Sequence, residues 1–284
     1  MTSIIHQDVK DIRGQLILKS GSDVIEWSKK NIFSTDHQKK KTKFKEAAFF
    51  VEDCESIFGL EPYKRVLENW TPNFREWLGE IWAPSVLFEE LRLLKTFDVY
   101  SYQHVLVVSV VGARLLEIWI AATPTVKRSF MALVFHRLGK TRWMAGLAQK
   151  SEELDQAERR IILEQPLISF VLNAHYWGDA NHLCAKVALQ QHEDRLGKGY
   201  PLQIKTNSLV LDVLRMLDRF DAMISSRPFR YQKLSPRAAL DVINQDAQDG
   251  KMEADVLRAF TDLIRNEKIK DYKKLKLGKI GRPE

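Results

Sequence analysis

Three histidines and two aspartates stand in apolar, helix-patterned surroundings. His104 lies in Tyr100-Ser101-Tyr102-Gln103-His104-Val105, His136 in Phe135-His136-Arg137-Leu138-Gly139-Lys140, and His192 in Leu189-Gln190-Gln191-His192-Glu193-Asp194. Asp218 and Asp221 lie three residues apart and so share one face of a helix. A histidine on an apolar helix face is either a hydrogen-bonded core residue or a metal ligand. Taken singly, each of these residues fits the first reading, and periodicity alone gives no more than an α-helical domain.

The elements that must position them are helical almost throughout. From about residue 84 the apolar spacing predicts helices at 85–95, 101–122, 125–137, 151–174, 180–192, 207–225, 235–246 and 252–269. Pro124, Gly139, Gly178, Pro201 and Pro236 punctuate them. This part of the chain reads as an all-α bundle. Residues 9–33 read as a smaller unit: a turn at 11–15, a strand at 16–18, a turn at 19–22, and a helix capped by Asp23. A further helix is expected from about Thr42 to Ile57, with Phe44, Ala47, Ala48 and Val51 on one face. The expected division is a small N-terminal module at 1–83, a main domain at 84–265 and a basic tail at 266–284.

Composition narrows the function classes. The net charge of +7 is concentrated in the last 21 residues, which carry +5, so the body is nearly neutral and nucleic acid is an unlikely partner. Lys39-Lys40-Lys41 with Lys43 and Lys45 form a second basic cluster that reads as a solvated face. Cys54 and Cys184 make neither a disulfide framework nor a CxxC pair, which fits a reducing cytoplasm. The N-terminus lacks the apolar run of a signal peptide. The most apolar stretch, Val105 to Ala113, reads as too short to cross a bilayer, so no membrane span is expected.

Order and spacing carry more than the single residues do. His104 is followed by His136 with Gly139-Lys140, then Gln165-Pro166, then His192-Glu193 leading into Gly199-Tyr200-Pro201. Asp218 and Asp221 follow, with Arg227-Pro228-Phe229-Arg230 and Leu234-Ser235-Pro236. This succession, over roughly residues 85–265, resembles the HD-GYP family of cyclic di-GMP phosphodiesterases, a branch of the HD metal-dependent phosphohydrolases. The family stretch His-His-Glu, spacer, Gly-x-Gly-Tyr-Pro is matched from Gln191 to Pro201 without insertion. Gly14 to Gly21 resembles a short module that often precedes such domains. The resemblance implies a mainly α fold, an HD-type helical bundle with a small N-terminal α+β module.

It also implies a centre in which His and Asp side chains hold two or three iron- or manganese-type ions, and a metal-bound hydroxide attacks the phosphodiester. Four matched ligand positions survive here: His104, His136, His192 and Asp218. Three are altered: Arg137 replaces the bridging Asp, Gln165 the His of the His-Pro pair, and Gln191 the first His of His-His-Glu. Tyr100 stands where some members place a Glu for a third metal. A guanidinium about 5 Å from a dication is repelled by roughly 7 kcal/mol at an effective dielectric of about 20, and arginine cannot escape by losing its proton. The expectation is therefore that no catalytic set is intact and that at most one divalent ion, of iron or manganese type, is held. Arg137 is expected to stand in for a metal by pairing with Asp218. Arg227 and Arg230 match basic residues that approach the dinucleotide, Lys140 matches the Lys after the His-Asp pair, and Tyr200 matches the signature Tyr, so cyclic di-GMP is the expected ligand, with a signalling protein as the other class of partner. The alternative is that Tyr200 holds the loop and that Lys140 and Arg230 only stabilise helix ends.

Overall fold

The computed structural model describes residues 3–30, 40–68, 70, 74–142, 155–225 and 233–265. Near the N-terminus, β1 (Val9–Lys10) and β2 (Leu16–Leu18) form an antiparallel ribbon, followed by α1 (Val24–Lys29). Asp23 caps α1 by accepting from the amides of Ile25 and Glu26, as its position before the apolar run predicts. Next come β3 (Lys41–Lys43), a 3-10 turn at Phe44–Glu46, α2 (Ala48–Ser56), α3 (Lys64–Leu67), α4 (Phe74–Leu78) and β4 (Trp82–Pro84). β3 and β4 pair antiparallel, with Lys41 opposite Pro84 and Lys43 opposite Trp82. The helix expected from Thr42 thus begins only at Ala48. The amide of Phe44 is taken by the Ile81 carbonyl, a long-range partner that local periodicity does not reveal.

The rest is a helical bundle: α5 (Ser85–Phe97), α6 (Val99–Leu116), α7 (Thr123–Phe135), α8 (Gln156–Leu163), α9 (Gln165–Trp177), α10 (Leu183–Gln190), α11 (Leu209–Ile224), α12 (Pro236–Gln248) and α13 (Ala254–Arg265). The protein is mainly α, with two short two-stranded sheets in its N-terminal region. One expected helix, 151–174, is split among the described residues into α8 and α9. Pro166 has no N–H and sits in the first turn of α9, where that donor is not needed. α6 is the central element and packs against α5, α7 and α11. The helix starts two residues before the expected 101–122 and ends six residues before its end, and it is long and apolar enough to cross a membrane by length and composition. Most of it is buried inside the bundle, which is what a core helix requires.

The N-terminal strands and helices share the bundle's core. The Phe44 ring packs edge-on against Phe88 at 5.0 Å and meets Phe130 and Phe135 at 5.6 and 5.8 Å. The first ribbon is held by polar contacts: the Tyr176 hydroxyl accepts from the Ile12 amide, and Arg142 Nε donates to the Lys10 carbonyl. Arg142 and Tyr176 in turn converge on the buried carboxylate of Glu90.

Candidate metal centre

Four helices and the turn after α7 bring the candidate residues together. α6 supplies His104, the C-terminal end of α7 supplies His136 and then Arg137, and α11 supplies Asp218 and Asp221. The start of α9 supplies Gln165, and the end of α10 leads into Gln191 and His192. His104 is fully enclosed between the two aspartates. Its Nδ1 lies 2.6 Å from Asp221 Oδ2 and its Nε2 lies 2.9 Å from Asp218 Oδ1. Tyr63, just before the four-residue helix α3, donates its hydroxyl to Asp221 Oδ1 at 2.8 Å. No pattern in the sequence pointed to Tyr63.

His136 Nδ1 lies 2.6 Å from the Leu133 carbonyl oxygen. A carbonyl only accepts, so Nδ1 carries the proton and Nε2 is left as an acceptor. That acceptor is met by Arg137 Nε at 3.2 Å, while Arg137 Nη2 donates to Asp218 Oδ1. The expected Arg137–Asp218 pair is formed, with both side chains mostly shielded from solvent.

The electrostatics follow from this packing. Burial works to raise the Asp218 carboxyl, but Arg137 and the His104 hydrogen bond outweigh it and hold the group well below its usual range. Asp221 is lowered too, burial again being opposed by His104, Tyr63 and Ser225. Burial and the adjacent guanidinium push His136 well below the ordinary histidine value. Burial brings His192 down to about 4.

Two altered positions have become braces. Gln191 donates to the His136 carbonyl at 2.9 Å and to the Ala188 carbonyl at 2.7 Å. Gln165 donates to Ser169 Oγ at 2.7 Å and reaches the His136 carbonyl at 3.4 Å. Both amides therefore hold the turn that presents His136 and Arg137. His192 stacks on Tyr200, with ring centroids 4.7 Å apart. Lys140 points to the N-terminal cap of α6, where its ammonium donates to Ser101 Oγ and lies 3.5 Å from Asp98. Arg227 and Arg230 fall outside the described residues.

Among the described residues, one group offers metal-ligand atoms at bonding separation: His104, His136 and Asp218, all within 4.8 Å of one another. His192 is not part of it. Three ligands of this kind are consistent with at most one divalent ion. The Arg137 guanidinium hydrogen-bonds to two of the three, so it and an ion are alternatives at the same ligands. A two-metal centre does not fit these residues, because Arg137 places a fixed cation on His136 and Asp218 and one three-residue group of ligand atoms is present among the described residues.

The loop beside the centre keeps its packing. The Glu193 carboxylate accepts from the amides of Leu202, Gln203 and Ile204 at 2.6, 3.1 and 3.1 Å and so closes the loop through Tyr200. A Cβ on Gly199 would fall 2.2 Å from the His192 carbonyl oxygen, and one on Gly139 would fall 2.5 Å from that of Gln165. Only glycine permits either approach.

Residues 120–256 match the family model described as HD domain. The chain is 27% identical over 199 residues to a cyclic di-GMP phosphodiesterase of Thermotoga maritima, covering 65% of this chain and 53% of the relative. It is 26% identical over 205 residues to a cyclic di-GMP phosphodiesterase of Pseudomonas aeruginosa, covering 70% of this chain and 47% of the relative. The chain thus spans about half the length of the curated relatives it matches. Among solved structures it is similar to Bd1817, a HDG"Y"P protein from Bdellovibrio bacteriovorus, at 11% identity and a TM-score of 0.47, over 93% of this chain and 95% of that one.

Proposed function

We propose, from the premise that this chain is an HD-GYP-type homologue of cyclic di-GMP phosphodiesterases with an incomplete metal site, that it works without the family's hydrolysis. On this reading it senses cyclic di-GMP or serves as a protein-interaction scaffold in bacterial signalling. The observation that carries the proposal is the placement of Arg137. Its guanidinium joins Asp218 to His136 at ligands a metal would use. A fixed cation there satisfies the buried acid without supplying a bound hydroxide.

Cationic and aromatic groups around the centre suit a ligand with phosphates and bases. Lys140 and Tyr200, with Arg227 and Arg230, are the proposed contacts. Lys140 is already engaged at the cap of α6, so ligand binding would have to compete with that contact.

A second reading, a divergent phosphodiesterase with one metal ion, is favoured by the grouping of His104, His136 and Asp218. Calorimetry with cyclic di-GMP on metal-analysed protein separates the two. Binding without turnover is the expected result for a sensor, and no binding leaves the scaffold. Turnover of cyclic di-GMP with one or two equivalents of bound iron or manganese would reject both non-catalytic roles.

A further inference from the structure

A cavity of about 350 Å³ opens on the side of α8 and α9, where the N-terminal segment crosses the bundle. Its wall is apolar: Ile4 from the N-terminal segment, Leu163 and Leu167 from the helices, and Pro201 from the loop after Tyr200. Its polar edge holds His6, Arg160 and Glu164, with Arg159 beside them and Gln156 completing the rim.

The charged groups at this edge differ in their partners. Glu164 is buried and already satisfied, since His6 donates its backbone amide to Oε2 at 3.1 Å and places Nδ1 2.6 Å from Oε1. Arg160 has no ion-pair partner among the described residues. A concave apolar wall of this volume, edged by the Arg160 guanidinium and by an acid whose two oxygens are already hydrogen-bonded, suits a small molecule. A carboxylate, sulfonate or phosphate on that molecule would meet the guanidinium by charge-assisted hydrogen bonds, while its apolar body covers Leu163, Leu167 and Pro201.

We infer that this cavity is a binding site for a small organic anion with an apolar body, separate from the His104–Asp218 centre. The site is well placed to report on that centre. Glu164 directly precedes Gln165, whose amide reaches the His136 carbonyl, and Pro201 directly follows Tyr200. The inference does not depend on whether the centre binds cyclic di-GMP or a metal.

The test uses the full chain and 8-anilinonaphthalene-1-sulfonate as the probe, followed by fluorescence and by calorimetry. One saturable site per chain is expected. Arg160→Glu is expected to weaken it at least tenfold by reversing the charge at the edge. Leu163→Trp is expected to weaken it to a similar degree by filling the cavity. Both residues are at least partly exposed, so unchanged thermal unfolding verifies that each variant folds. Unchanged affinity in both folded variants, or several equivalent sites per chain, would overturn the inference. Cyclic di-GMP calorimetry on Arg160→Glu keeps the two readings apart, since loss there without loss of probe binding would place Arg160 in the dinucleotide site instead.

Discussion

The loop from His192 to Ile204 and the metal centre beside it have parted ways. In the loop the family pattern is intact, and each retained residue has a packing task. Glu193 receives three backbone amides, and Gly199 lies against the His192 carbonyl with no room for a methyl group. In the centre the three residues that stand at the ligand positions implied by the resemblance, Arg137, Gln165 and Gln191, also have packing tasks. Arg137 neutralises Asp218, while Gln165 and Gln191 hold the backbone of His136. The difference separates two reasons for keeping a signature. Residues that fix the backbone are needed whether or not an ion binds, and ligands can be exchanged once the buried charges are balanced in another way.

The largest expected effect lies in the loop. Gly199→Ala places a methyl carbon within 2.5 Å of backbone atoms of both His192 and Glu193. The backbone has to move and the three Glu193 hydrogen bonds are disturbed with it. A loss of about 3 kcal/mol or more is expected in denaturant unfolding, at the upper end of overpacking effects. A loss under about 1 kcal/mol would show that the loop yields easily, and the glycine at 199 would then need a ligand-based reason.

Arg137→Ala comes next and tests the other side of the comparison. It strands the Asp218 carboxylate beside His104 with its main counter-charge gone. Breaking a buried pair on one side costs about 3–5 kcal/mol, and Asp218 is 19% exposed, which places this case near about 3. Added manganese is expected to restore part of the loss, since the same ligands are then free for a cation and binding to the folded state alone stabilises it. A variant as stable as the parent, or one indifferent to manganese, would break the claim that Arg137 and an ion are alternatives.

Much of this was legible in the sequence because it is carried by local pattern. The helices bearing His104, His136 and Asp218 follow from apolar spacing, and the pairing of Arg137 with Asp218 follows from a cation gained where an anion was lost. What the sequence left hidden depends on long-range backbone partners. Gln165 and Gln191 look like failed ligands until the His136 carbonyl, 29 and 55 residues away, is seen to take their amides. Tyr63 sits in a turn before a helix too short to show a period, yet it reaches Asp221 across 158 residues. The segment Lys41 to Glu46 has helical apolar spacing but is drawn into strand and 3-10 turn by its pairing with Trp82 to Pro84.

The smallest expected effect belongs to Lys140, which stands between the two regions. The proposed function makes it a ligand contact, whereas the structure ties it to Ser101 and Asp98 at the start of the helix that carries His104. Asp98 already caps that helix through the Ser101 amide at 2.9 Å, so Lys140 supports a cap that stands without it. Lys140→Ala is therefore expected to lower unfolding stability by about 1 kcal/mol, the usual scale for one hydrogen bond. The same variant, titrated with cyclic di-GMP, sharpens the comparison. A large fall in affinity with that small stability change would assign Lys140 to the ligand, and its contact with the cap would be the resting position of a side chain that leaves on binding. An unchanged affinity would assign it to the backbone-fixing group with Glu193 and Gly199, whose retention reports the fold and carries no information about the ligand.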